Sequence, residues 1–163
     1  MPALSAATAL QWALQIETNG EAFYKGVAAQ AKDTDTKVLF EDLAYQEQRH
    51  YRTFQRMLEK ATAAGPAESD VEIGDYRTYM ENALSNALFS GEGRGMELAK
   101  KAQTEEEAIK AAIAFEKDTL IFFYDLLDIV ADAEKKTLQA VIDEEKDHVR
   151  QLGRALAAGP WAM

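Results

Sequence analysis

Cysteine is absent from this 163-residue chain. That excludes disulfides, thiolate catalysis, a zinc ribbon and any iron-sulfur or rubredoxin-type centre carried on the same chain. Basic residues are in short supply: 18 Lys and Arg stand against 28 Asp and Glu, a formal net charge of -10. Such a balance argues against a nucleic-acid partner, which needs clustered cations to neutralise phosphates. Long apolar runs are missing as well. Stretches such as Leu120–Tyr124 fall far short of the ~20 residues that cross a bilayer, and the N-terminus lacks the basic start of a signal peptide. The expectation is a soluble, cytoplasmic protein with no membrane partner. A chain of this length hides roughly two-thirds of its unfolded surface on folding, so residues 1–163 are read as one domain. Proline and glycine are confined to a few places, with three and nine copies, and mark the breaks between elements.

What is present is helix-forming. Alanine, leucine, glutamate and lysine dominate, and nothing alternates apolar and polar residues long enough to read as a strand. The fold class is all-α. Ser5 is placed to cap a first helix running to about Ala31, and Asp33 or Thr34 to cap a second that continues to the stop at Gly65 and Pro66. The short turn between them makes the two antiparallel neighbours. Residues 65–103 form a long connection, with a helix expected from Asp75 to Phe89, a glycine-rich SGEGRG and a short helical piece around Met96 to Ala102. SGEGRG follows no strand and lacks the lysine of a phosphate-binding loop, so it reads as a flexible linker. In TEEE, glutamate follows Thr104 by three residues, a capping box that opens a third long helix reaching about Val130. Asp132 is placed to cap a fourth, which ends near Ala158 before Gly159 and Pro160. The halves read as weak repeats: Glu17 precedes Glu47 by 30 positions and Glu116 precedes Glu145 by 29, which suggests a pseudo-twofold bundle.

The chemistry lies where polar residues interrupt apolar stripes. An amphipathic helix buries positions three and four apart. On the second helix that stripe reads Phe40, Leu43, Glu47, His50, Phe54, Met57; on the fourth it reads Leu138, Val141, Glu145, His148, Leu152, Ala155. The first gives Leu10, Leu14 or Ala13, Glu17, Gly20 and Tyr24. The third gives Ile109, Ile113 or Ala112, Glu116, Leu120, Phe123, Leu127 and Val130. Both histidines of the chain therefore sit in Glu-x-x-His, with a carboxylate and an imidazole on one helix face. Solvated pairs at this spacing are common on helix surfaces, but a surface pair does not sit on an apolar stripe. Burying four carboxylates without compensation is not credible, since one isolated buried ion costs several kcal/mol. Two divalent cations would balance four glutamates, with neutral imidazoles completing the coordination. Carboxylate oxygens with one imidazole per metal suit iron or manganese, and zinc stays open on residue types alone.

The segments QIETNGEAFY, LAYQEQRH, AFEKDTLIFFY and IDEEKDH resemble the ferritin-like superfamily of di-iron carboxylate proteins, and within it the rubrerythrin type. The resemblance covers nearly the whole chain. It implies a ferritin-like four-helix bundle with two iron ions as cofactor, Glu47 and Glu145 as bridging ligands, Glu17 and Glu116 as terminal ligands, and His50 and His148 binding one metal each. Two features depart from it. The cysteine-bearing rubredoxin domain of rubrerythrins is missing, and the third helix lacks their additional glutamate, having Ile113 one turn before Glu116 and Thr119 or Leu120 one turn after. A six-ligand set is closer to bacterioferritin, but the crossover is longer and more helical than a ferritin's.

The activity this implies is reduction of hydrogen peroxide or dioxygen, with Glu17, Glu47, Glu116 and Glu145 as the catalytic carboxylates and electrons from a separate donor protein. Alternatives are Fe(II) oxidation and iron handling, as in ferritins, or a metal-stabilised bundle without turnover. A homodimer, with helices exchanged through the glycine-containing crossover, is a further expectation. Around the ligands, Tyr24 and Tyr124 read as buried packing residues, with hydrogen-bond or electron-transfer partners of the site as the alternative, Glu21 as a group beside the ligands or on the iron-entry route, and Glu144, Arg49 and Asp147 as solvated.

Overall fold

A computed structural model of the chain describes residues 4–65, 72, 74–76, 78, 79 and 93–161. Three of the long helices start where a side chain satisfies an orphan N–H group of the first turn. The Ser5 hydroxyl accepts from the Thr8 N–H at 3.1 Å and opens α1 (Ala6–Gln30). Asp33 accepts from the Thr36 N–H at 2.9 Å and opens α2 (Thr34–Ala64), which ends at Gly65 with φ at 80°. After the crossover comes α3 (Arg94–Lys101), opened by Gly93 in the left-handed region. Thr104 accepts from the Glu107 N–H at 3.1 Å and opens α4 (Glu105–Leu127). The Glu107 carboxylate reaches back to the N–H of Gln103 rather than of Thr104, a shifted version of the expected capping box. A 3-10 turn (Asp132–Glu134) then leads into α5 (Lys135–Ala158).

Three boundaries differ from the sequence expectation. The third long helix stops at Leu127, not Val130, because Asp128, Ile129 and Val130 already turn toward α5. Asp132 does not cap α5; it starts the 3-10 turn, and its carboxylate pairs with Lys135 Nζ at 2.9 Å. The second half of SGEGRG is not linker: Gly93 caps α3 and Gly95 lies within it. The helix expected from Asp75 to Phe89 falls mostly outside the described residues, with 74–76 and 78–79 helical.

The short loop at residues 31–33 folds α2 back along α1, and the loop before α5 folds it back along α4; α1 also meets α4, α2 meets α5, and α3 lies against α1. The result is an all-α, ferritin-like four-helix bundle. Its core is aromatic, with Phe54 against Phe123 at 5.0 Å and Tyr24 against Phe40 at 5.6 Å between ring centres. The stripes chosen on α2 and on the first five positions of α5 are buried as read. On α1 the inward residue is Ala13 rather than Leu14, and on α4 the stripe runs through Ala112 and Thr119 rather than Ile113 and Leu120. Aliphatic side chains at the edge of a stripe obscured the smaller residues at its centre. Among the described residues, no helix is long and apolar enough to cross a membrane.

Backbone contact between α1 and α3 depends on two glycines. A Cβ at Gly95 would collide with the carbonyl oxygen of Asn19, and one at Gly26 would lie 2.7 Å from Ala99 Cβ. Gly95→Ala should therefore lower the melting temperature by roughly 3–10 °C, a cost of about 1–3 kcal/mol that no rotamer change relieves. Gly153, exposed within α5 with nothing near its missing side chain, is the opposite case: Gly153→Ala should stabilise by about 0.5–1 kcal/mol. Thermal unfolding of both variants followed by circular dichroism checks the pair.

Candidate metal centre

Glu17 on α1, Glu47 and His50 on α2, Glu116 on α4, and Glu145 and His148 on α5 meet inside the bundle. The four carboxylates are wholly inaccessible, and His50 and His148 are 2 % and 1 % exposed. They form two overlapping groups, Glu17-Glu47-His50-Glu145 and Glu47-Glu116-Glu145-His148, in each of which one ligand atom per residue lies within 4.8 Å of the others. Glu47 and Glu145 belong to both. Each imidazole turns Nδ1 inward: His50 Nδ1 is 3.0 Å from Glu145 and 3.7 Å from Glu17, and His148 Nδ1 is 2.8 Å from Glu145 and 3.3 Å from Glu116. The rings stack at 5.6 Å.

Apart from the hydrogen bond between His148 Nδ1 and Glu116 Oε1, these contacts are close without being hydrogen bonds. Both oxygens of Glu17, Glu47 and Glu145, one of Glu116 and His50 Nδ1 have no hydrogen-bonding partner among the described residues. Orphaned buried polar atoms in such number are costly in a protein-only site. They suit metal coordination: donors held about 2.1 Å from one divalent ion stand about 3 Å apart, with lone pairs aimed at the ion and not at one another. The donor set and its spacing fit a pair of metal ions.

Electrostatics describes the same conflict. Burial and the neighbouring Glu145 raise Glu17, and raise Glu116 to about 8; burial with Glu145 and Glu17 lifts Glu47 well above the carboxylate range. Glu145 runs the other way. Burial pushes it up, but His50 and His148 beside it prevail and hold it well below the usual value. Burial alone would lower both imidazoles, yet Glu145 and Glu17 raise His50 well above its ordinary range, and Glu116, to which it is hydrogen-bonded, with the adjacent Glu145 raises His148 to about 10. Without metal, protons balance the site. Tyr24, fully buried, donates its hydroxyl to Glu116 Oε1, and burial with the Glu116 charge raises it so that it stays protonated.

A match to the rubrerythrin family model spans residues 8–156. The chain belongs to the rubrerythrin family. A solved structure described as a ferritin-like diiron-carboxylate protein from Thermotoga maritima superposes with a TM-score of 0.71 at 23% identity, covering 97% of this chain and 98% of that one. At that identity the likeness speaks for the fold. No curated protein matches the chain.

In this rubrerythrin-family site the surroundings of the six residues differ from the sequence reading in two places. Glu144 is not simply solvated: its Oε2 lies 2.8 Å from His50 Nε2, and its Oε1 is 3.9 Å from Arg49. The signal missed was its position directly before Glu145, which turns it toward the α2 histidine. Tyr124 is not buried; it is 42% exposed, with Lys146 over its ring at 5.2 Å. Tyr24 is buried as expected, and its hydrogen bond to Glu116 realises the alternative reading, a hydrogen-bond partner of the site. Glu21 takes hydrogen bonds from Lys25 and Gln48 at the α1–α2 edge. Asp147 pairs with Arg150 at the surface.

Protonation makes two predictions and Glu144 a third. Metal must displace protons from groups such as Glu116 and His148, so affinity should rise between pH 6 and 8.5, about tenfold per pH unit for each proton released. Competition with a chelator at several pH values measures this. Metal-free stability should move oppositely: Glu116 titrates near 8 folded against 4.5 ordinarily, and His148 near 10 against 6.5. The folded state therefore binds the extra protons, and its melting temperature falls as pH rises through those windows. Glu144→Ala should leave the fold intact and weaken metal binding about 10–100-fold, as loss of a carboxylate that orients a ligating imidazole does; equilibrium metal titration reads it.

Proposed function

We propose that this chain is a non-haem di-iron oxidoreductase of rubrerythrin type, reducing hydrogen peroxide or dioxygen with electrons from a separate donor protein. The observation that carries the reading is the pair of overlapping buried ligand groups sharing Glu47 and Glu145. In it, Glu47 and Glu145 would hold both irons, Glu17 and His50 would complete one site, and Glu116 and His148 would complete the other. Carboxylate oxygens with a single imidazole per ion support iron over softer-ligand metals. The irons, when bound, supply two electrons and the Lewis acidity that polarises an O–O bond.

The protein's own part is charge, position and protons. Four carboxylates match the four positive charges of two ferrous ions, so the loaded site is neutral inside an apolar bundle. Helices hold every ligand, which fixes the spacing within which a small oxidant fits. Reduction of one peroxide to water consumes two electrons and two protons, and Tyr24 presents a hydroxyl proton at Glu116 Oε1. Burial of all six side chains supports retention of the metal pair rather than its passage onward.

Anaerobic loading with Fe(II), one equivalent of peroxide, and re-reduction tests the reading. Uptake of two irons per chain and a reversible optical change are expected. Refusal of Fe(II), Mn(II) and Zn(II) would end the dinuclear reading, and uptake of many irons into a cage-sized particle would favour storage. Glu47→Ala should lose both metals because it removes a ligand common to the two sites, whereas Asp147→Ala should keep two; metal analysis of the purified variants distinguishes them.

A further inference from the structure

The chain carries a net charge of -10, yet on one face the sign reverses. A groove of about 590 Å³ between α2 and α5 is lined by Arg49, Arg52 and Arg56 on one side and Lys136 on the other, with Glu144 the one carboxylate among its lining residues. All four cations are exposed. At its floor lies His50, with Nε2 on Glu144 at 2.8 Å and Nδ1 3.0 Å from Glu145. One imidazole separates the groove from the metal centre.

The shape of this patch selects its occupant. Arg49 and Arg56 are seven residues apart on one helix, about 10 Å along its axis, too far for one small anion to bridge. The cations are long, solvated side chains spread along two helices, which suits a surface bearing several carboxylates. Tyr45, 58% exposed, stands among the groove's lining residues, and Tyr with Arg are the residue types that anchor protein interfaces. Nucleic acid would meet the same cations but would also meet the repulsion of the acidic remainder.

We propose that this groove docks an acidic protein electron carrier beside His50. The inference rests on the di-iron reading above and names where its donor binds. In each encounter the carrier loses one electron, and two encounters return the ferric pair to the ferrous state. The cations steer the carrier in, and the partly exposed Glu144 and the His50 ring span the distance from the docked surface to the metal ligands.

The test uses the full chain and a free rubredoxin as the acidic carrier. Calorimetric titration at low ionic strength, on protein with or without metal, should show binding that about 0.5 M salt, with a screening length of roughly 4–5 Å, abolishes. The double variant Arg52→Glu/Arg56→Glu, and separately Lys136→Glu on the opposite helix, should weaken that binding about tenfold or more. In the iron-loaded protein the carrier's reduction rate should fall with them, while reduction by dithionite stays unchanged. Absence of salt-sensitive binding to the unmodified chain, or equal binding by the variants, overturns the proposal. So does binding of a DNA duplex that the same substitutions abolish, or a change in particle mass in the variants, which would make the groove a contact between copies of this chain. Failure of peroxide to reoxidise dithionite-reduced protein counts against the di-iron reading instead, and the calorimetric result on docking is read independently of it.

Discussion

Four carboxylates and two imidazoles at one buried point must be neutralised, and nothing in the bundle's apolar walls can do it. Elsewhere the structure gives way to that demand. Glu17, Glu47, Glu116 and Glu145 occupy positions that would otherwise be leucine or phenylalanine, each near the middle of a long helix where the backbone's own hydrogen bonds are complete. Space is cleared for them as well. A Cβ at Gly20 would come within 2.5 Å of Glu47 Oε2 and 3.0 Å of the Phe115 ring, so the glycine in QIETNGEAFY marks where a carboxylate from α2 leans against α1. The aromatic residues around the cluster then exclude water, which makes the electrostatic demand sharper.

The two halves of the bundle answer this demand in similar but unequal ways. His50 is held by Glu144, which stands directly before Glu145; the corresponding position before Glu47 is Gln46, and His148 Nε2 has no hydrogen-bonding partner among the described residues. On the other side Tyr24 donates to Glu116, and no such contact with Glu17 occurs among the described residues, where Tyr124, its counterpart in the sequence, turns outward. Each ligand group thus has one external support of its own kind: a carboxylate behind the histidine in one, a phenol beside the glutamate in the other. The inequality places the carboxylate-supported histidine under the basic groove and the phenol in the closed interior.

Most of this was legible because the signals were periodic. Helix class, caps at Ser5, Asp33 and Thr104, and the convergence of Glu47 with His50 and of Glu145 with His148 all depend on three- and four-residue spacing, which survives in a bare sequence. Two kinds of feature were not. Leu14 and Ile113 look more hydrophobic than Ala13 and Ala112, yet the smaller residues face inward, because close helix approach selects volume and not apolarity alone. The link from Glu144 to His50 and the gathering of Arg49, Arg52, Arg56 and Lys136 cross between helices far apart in sequence. Only the packing angle of α2 on α5 determines them.

Glu145 shows how the electrostatic demand is divided among the four carboxylates. It alone among the four carboxylates is held well below its usual range, while the others are pushed up, because both imidazoles approach it most closely. The two histidines, whose protonated forms the carboxylates favour, act as its counter-ions, and burial with mutual crowding favours the protonated form of the remaining carboxyls. The same six groups therefore have two neutralised states, one with protons and one with cations. Their positions are set by four helices capped and packed far from the cluster, so exchange between those states calls for proton release and small rotations of side chains, not refolding. A site organised in this way binds metal by substitution, and it is the helix framework, not the metal, that determines where the ligands stand.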